Sequence, residues 1–91
     1  MSADQTQGPR EIATGVRSIL AEVGARGDMD GVSDTDSLLA NNVVDSVAMV
    51  NLVTSLEARF GIMIDDTELT PEHFDTVEAI VKLVARKAGV G

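Results

Sequence analysis

Hydrophobic residues recur at helical spacing in three long segments of the chain. The first segment begins at Pro9, a residue that is common in the first turn of a helix. It ends before Gly24, because glycine often terminates helices. One face carries apolar residues at steps of 4, 3, 1 and 3, namely Ile12, Val16, Ile19, Leu20 and Val23. This spacing predicts an amphipathic α-helix.

The second segment begins at the pair Asp45-Ser46. Aspartate is among the best N-cap residues, because its carboxylate accepts hydrogen bonds from free N–H groups of the first turn. An apolar stripe follows at steps of 3, 3 and 4, formed by Val50, Val53, Leu56 and Phe60 with Met49 and Leu52 beside it. Gly61 predicts the end of this helix.

Two further helices are predicted in the last third of the chain. Pro71 predicts a short helix over residues 71–74. Asp75 followed by Glu78 matches a capping box and predicts the start of a long last helix, which Gly89 ends. Its apolar positions are Val77, Ile80, Val81 and Val84. Three long helices, one short helix and no convincing strand predict an all-α, four-helix bundle.

A long connection, residues 25–45, separates the first two long helices. Loops of this length in a small domain are usually functional or disordered. Four apolar residues predict that this one is ordered and held against the core: Leu38, Leu39, Val43 and Val44. We expect a single domain over residues 9–88, with flexible ends at 1–8 and 89–91.

Composition narrows the classes of function. The 91 residues carry 15 acidic and 7 basic side chains, a net charge of −8, which disfavours nucleic acid and anionic membrane surfaces as partners. There is no cysteine, and no apolar run approaches the ~20 residues that cross a bilayer. The first ten residues lack a signal-peptide core. We therefore expect a cytoplasmic protein without membrane insertion, and a monomer.

Few residues could support catalysis or metal binding. His73 is the only histidine, and we interpret it as a partly exposed helix-end residue. The acidic stretch from Asp28 fails as an EF-hand, since Ser33 and Leu39 occupy positions 6 and 12. Ser46 is different, because the first turn of a helix presents its hydroxyl to solvent beside N–H groups that favour a phosphate ester. The alternative interpretation is that Ser46 is only a residue that suits the start of a helix and has no further role.

The surroundings of Ser46 resemble the acyl carrier proteins, whose hallmark is Asp-Ser-Leu at the start of the second helix. Residues 36–47 resemble the approach to that modification site, 52–64 the second helix and the loop after it, and 68–77 the short third helix and the start of the fourth. The similarity covers about residues 9–88. The predicted order of elements agrees with that family's four-helix fold.

The resemblance implies a specific chemistry. Ser46 would receive 4'-phosphopantetheine from coenzyme A, transferred by a phosphopantetheinyl transferase, and Asp45 matches the residue before the modified serine. The arm's thiol would hold an acyl or aminoacyl group as a thioester. Implied partners are a loading ligase or acyltransferase and a downstream synthase or condensing enzyme. The chain itself would not be an enzyme. A separate hypothesis comes from the near absence of aromatic residues: the thin aliphatic core would part and shelter an acyl chain between the second and fourth helices.

Departures from the family pattern concern the surface that faces partners. Val47 replaces the usual leucine, and Ala48, Asn51 and Ala58 stand where fatty-acid carriers are commonly acidic. The predicted partner-facing residues are Val47, Asn51, Thr54, Glu57 and Ala58, a nearly neutral set. This favours free-standing carriers of polyketide, nonribosomal peptide or D-alanyl systems. The alternatives are a helical protein-interaction module without covalent modification and, more remotely, a small hydrolase using Ser46.

Overall fold

A computed structural model describes residues 8–89 and contains α-helices joined by loops. The helices are α1 (Pro9–Val23), α2 (Ser46–Phe60), α3 (Pro71–Phe74) and α4 (Val77–Ala88), and a 3-10 turn spans Asp66–Glu68. No strand occurs in this part of the chain. The predicted all-α class, with three long helices and one short one, is confirmed. Most of the two predicted flexible ends, residues 1–7 and 90–91, lies outside the described residues.

The core lies where α1 packs against both α2 and α4. It is almost entirely aliphatic, as the composition predicts, and Phe74 of α3 is the one aromatic ring that is fully buried in it. Phe60, at the end of α2, packs against its edge. The large aliphatic side chains that are fully buried are Ile12, Val16, Leu20, Leu38, Val43, Leu52, Leu56, Val77, Ile80, Leu83 and Val84. The fold is therefore held by close packing of branched side chains.

The long connection is ordered and contributes to the core. Leu38, Val43 and Val44 are buried as predicted, whereas Leu39 is 43% exposed. Val32, which the sequence pattern did not single out, is buried as well. The Ala25 N–H donates to the Val43 carbonyl at 2.7 Å, which brings the connection back against the end of α1.

Gly24 allows this close approach. A Cβ atom at this position would lie 2.9 Å from the Val43 carbonyl oxygen and still closer to that of Leu20. Its φ of −66° is open to any residue. The requirement for glycine here is therefore one of space between two backbone segments and not of backbone conformation.

The predicted apolar stripe of α2 is only partly right. Leu56 is buried, but Val50 is 64% exposed, and the helix buries Ala48 and Leu52 instead. Val53 and Phe60 are half-buried. Because α2 is apolar at most positions, spacing alone does not identify which of its faces meets the core.

The start of α4 differs from the prediction by one residue. Thr76 is the N-cap, and its hydroxyl accepts a hydrogen bond from the Ala79 N–H at 3.0 Å. The capping box assigned to Asp75 and Glu78 is wrong, because the Asp75 carboxylate binds the long connection instead. Gly89 ends the helix in the left-handed conformation, as predicted.

Two substitutions on α2 test which of its faces is buried. Leu52→Ala should lower the free energy of unfolding by about 2 to 5 kcal/mol, because it leaves a cavity in the core. Val50→Ala should change it by less than about 0.5 kcal/mol, because that side chain is exposed. Urea unfolding followed by far-ultraviolet circular dichroism measures both, and equal losses would contradict this packing.

Candidate functional site

Ser46 is the first residue of α2, and its side chain is exposed. Asp45 precedes it as the N-cap: its Oδ1 accepts from the Ala48 N–H at 2.8 Å, and its carbonyl accepts from the Met49 N–H at 2.8 Å. This is the helix start that the sequence predicts. Asp45 therefore fixes the first turn of α2 around the serine.

The Ser46 hydroxyl has no hydrogen-bond partner within residues 8–89. The backbone N–H groups of Ser46 and Val47 likewise have no acceptor among the described residues, because Asp45 accepts from the N–H groups of Ala48 and Met49 instead. Unpaired N–H groups and the helix dipole favour an anion at this position. The site thus combines a free hydroxyl with two free donors.

An open groove of about 470 Å³ adjoins Ser46, and we name it the Ser46 groove. Its walls come from the long connection, from α2, and from α3 with the two residues before it. The principal apolar lining residues are Leu39, Val44, Met49, Leu69, Pro71 and Phe74. None of its lining residues belongs to α4. Space for an apolar group therefore lies beside α3. Shelter of a cargo between the second and fourth helices stays a prediction.

Asp75 holds the wall of the groove that contains Leu39. Its Oδ1 accepts from the Ser37 hydroxyl at 2.8 Å and from the Leu39 N–H at 3.1 Å. Its carbonyl accepts from the Leu38 N–H at 2.6 Å. Sequence reasoning missed this role, because the partners lie more than thirty positions away and no local pattern connects them.

A second serine, Ser37, stands in the tripeptide Asp36-Ser37-Leu38, which matches the Asp-Ser-Leu hallmark more literally than residues 45–47 do. Its hydroxyl, however, donates to Asp75 and accepts from the Ala40 N–H at 3.0 Å. It lies in the irregular connection and is only half-exposed. Of these two serines, Ser46 is the one whose hydroxyl is free and stands at a helix start.

Glu68 lies beside the opposite wall, next to Leu69. Its Oε1 accepts from Lys87 Nζ at 2.6 Å and from the Asp65 N–H at 2.9 Å, and its Oε2 lies 3.4 Å from Arg86. The hydrogen bond from Lys87, followed by that from Asp65, holds the pKa of Glu68 below its ordinary value. Glu68 is therefore a charged link between this wall and the end of α4.

Most of the predicted partner-facing residues lie on one exposed face of α2. Val47 is 71% exposed, and the other exposed members are Asn51, Thr54 and Ala58. Glu57 is half-buried instead, because its carboxylate accepts from the Ile64 N–H at 2.9 Å and so holds the loop after α2. Val50 joins the exposed face, which sequence reasoning missed because it assigned this residue to the core.

His73 and the acidic loops offer no second site. His73 is half-buried, and its Nδ1 lies 3.0 Å from the Thr70 hydroxyl. Across residues 8–89, no group of three or more His, Cys, Asp or Glu side chains is placed to hold a metal ion. None of the helices described has the length and apolar character needed to span a bilayer.

The lowered pKa of Glu68 gives a prediction with a definite sign. A carboxylate whose pKa falls on folding contributes stability above its unfolded pKa, and this contribution is lost as the pH falls through the folded value. Native protein should therefore be more stable than Glu68→Gln at neutral pH. The difference should shrink as the pH drops below the ordinary value of 4.5. Urea unfolding across pH 7 to 3 measures it, and a difference that grows on acidification would contradict the ion pair.

Comparison with known proteins identifies the family of the chain. The family profile described as "Phosphopantetheine attachment site" matches residues 14–84. The chain is 35% identical over 80 residues to "Acyl carrier protein" of Thermotoga maritima, and the alignment covers 87% of this chain and 94% of that protein. It is 30% identical over 76 residues to "Aminoacyl carrier protein 2" of Bradyrhizobium diazoefficiens, with 84% and 81% covered.

A third relative is "Probable acyl carrier protein PigG" of a Serratia species. The identity is 37% over 60 residues, covering 66% of this chain and 69% of that protein. The match to the family profile contains both Asp45 and Ser46. The chain therefore belongs to the phosphopantetheine-binding acyl carrier protein family: it is a carrier and not an enzyme, and its cofactor is a covalently attached 4'-phosphopantetheine.

Proposed function

We propose that Ser46 bears the 4'-phosphopantetheine arm and that the protein carries acyl or aminoacyl groups on it as thioesters. The observation that carries this proposal is the free, exposed hydroxyl of Ser46 at the capped start of α2. Asp45, which precedes it, supports the site by fixing the first turn. Ser37 is a poor alternative, because its hydroxyl is already bonded to Asp75.

The residues around Ser46 fit a phosphodiester. A phosphate on Oγ would lie close to the free N–H groups of Ser46 and Val47 and to the positive end of the helix dipole. Asp45 places a negative charge nearby, but its Oδ1 accepts from the Ala48 N–H and so belongs to the cap. When bound, the arm supplies a thiol, which a chain without cysteine cannot supply itself. The chain's own part is to present the hydroxyl and to orient the attachment point.

The Ser46 groove suits the apolar part of a cargo. Its volume of about 470 Å³ lies in the range of small-molecule sites, and most of its lining is aliphatic or aromatic. Shelter in this groove would remove apolar atoms of the cargo from water, a gain of about 0.8 kcal/mol for each buried methylene. We propose that the cargo belongs to a specialised polyketide or nonribosomal peptide pathway. The name of one relative, an aminoacyl carrier protein, supports an aminoacyl cargo as one possibility within this class.

As a carrier, the protein works with transferases and synthases. We propose that it meets three of them in the cytoplasm as a monomer: a phosphopantetheinyl transferase, a loading ligase or acyltransferase, and a synthase or condensing enzyme. They would dock on the face of α2 that carries Val47, Val50, Asn51, Thr54 and Ala58. That face is exposed and has no charged side chain, so contact there would depend on apolar burial more than on ion pairs.

Two serine variants test whether the arm is attached to Ser46 or to Ser37. With coenzyme A and a phosphopantetheinyl transferase, native protein should gain the mass of one phosphopantetheine group, and Ser46→Ala should gain none while remaining folded. Ser37→Ala should still be modified, but it should be less stable by about 1 to 3 kcal/mol because Asp75 loses a hydrogen bond. Intact-mass spectrometry and urea unfolding measure both effects. Modification of Ser46→Ala, or its loss in a folded Ser37→Ala, would overturn the assignment.

A second pair of variants tests the docking face. Val50→Ala should raise the KM of the phosphopantetheinyl transferase for this protein by about threefold, through lost apolar contact, with little change in kcat. Met63→Ala is the matched control, because Met63 is 80% exposed but lies beyond the end of α2. Its KM should stay at the native value. An equal rise in both variants, or none in either, would contradict docking on this face.

A further inference from the structure

Residues 65–73, which comprise the 3-10 turn and all but the last residue of α3, form a segment without an anchor of its own in the core. Ile64 before it is 9% exposed and Phe74 after it is fully buried, but no side chain of residues 65–73 is buried. Its backbone hydrogen bonds are local, for example from the Leu69 N–H to the Asp66 carbonyl at 3.1 Å. Nevertheless, it supplies Leu69, Thr70 and Pro71 to the Ser46 groove.

Glu68 provides the polar link between this segment and the rest of the molecule. Within residues 8–89, it is the one side chain of the segment that forms an ion pair or hydrogen bond with another helix. Its side chain is 17% exposed and that of Lys87 is 21% exposed, so solvent screens their contact less than an open surface pair. Arg86, which is 63% exposed, adds a weaker contact.

We propose that Glu68, through its ion pairs with Lys87 and Arg86, sets the width of the Ser46 groove and thereby limits the size of the cargo that the groove shelters. The limit on cargo size rests on the proposed function, because it requires an arm on Ser46. The effect of Glu68 on the position of the groove wall does not depend on that function. Glu68 is a positioning residue, because it lies next to Leu69 and Thr70 and lines no part of the groove itself.

The ion pairs of Glu68 keep its turn close to the end of α4. Lys87 and Arg86 attract Glu68 from α4. Loss of the carboxylate charge removes the attraction that keeps the turn against the end of α4. Among the polar contacts that the structure describes for residues 66–70, only local hydrogen bonds then remain. Because both flanking anchors remain buried, the wall can move outward while the bundle stays folded.

Three variants isolate this effect. Glu68→Gln removes the charge, although its amide oxygen can still accept from the Asp65 N–H. Asp66→Asn is the matched control, since it makes the same charge change on the same turn at a side chain without a hydrogen bond among the described residues. The double variant Glu68→Lys with Lys87→Glu reverses the ion pair. It should restore part of the native behaviour, because the new lysine is attracted to the new glutamate but cannot accept from the Asp65 N–H.

The first readout is amide hydrogen exchange in protein without the arm. The Leu69 and Thr70 amides should exchange about two- to fivefold faster in Glu68→Gln. They should keep native rates in Asp66→Asn. In the double variant they should exchange at rates between those of native protein and of Glu68→Gln. The second readout uses straight-chain acyl groups of increasing length, attached to Ser46 through a hydrolysis-resistant pantetheine analogue. The longest chain that still shifts the Leu69 methyl signals should be longer in Glu68→Gln than in native protein.

The outcomes separate this inference from the function on which it rests. Native exchange rates in Glu68→Gln, or equal changes in Asp66→Asn, would overturn the role of the ion pair, whether or not Ser46 can be loaded. Faster exchange with an unchanged limit on chain length would overturn the control of cargo size. Failure to attach any arm to Ser46 would instead refute the proposed function, and the exchange rates would still decide whether Glu68 positions the wall.

Discussion

The hydrogen bond from the Ala48 N–H to the Asp45 carboxylate is the contact on which the site depends. It fixes the first turn of α2 and leaves the Ser46 hydroxyl in water, while Leu52 and Leu56 anchor the same helix in the core. A carrier needs both conditions, because its attachment point must be accessible to an enzyme and yet held in a defined orientation. Helix capping satisfies them with two adjacent residues.

Acidic side chains also hold both walls of the groove beside this serine. Asp75 binds the long connection through Ser37 and Leu39, and Glu68 binds the end of α4. The net charge of −8 is therefore not only a means of keeping the protein soluble. Part of it is committed to contacts that shape the surface next to Ser46.

Sequence reasoning predicted the parts of this structure that depend on local patterns. The bounds of α1, the start of α2 at Ser46, and the short α3 follow from caps, prolines and spacing within a few residues. The buried face of α2 could not be predicted in this way, because Val50 and Leu52 are alike in hydrophobicity and only the packing of α2 against the other helices decides between them. The role of Asp75 was missed because its partners are distant in sequence.

The most direct test of the central claim is fragment mass spectrometry of protein purified from its native host. A peptide that ends at Arg59 contains both Ser37 and Ser46, so fragment ions that separate the two serines identify the modified one. We expect the mass of one phosphopantetheine group on fragments that include Ser46, with Ser37 unmodified. An arm on Ser37, or a wholly unmodified peptide, would contradict the assignment of Ser46 as the attachment point.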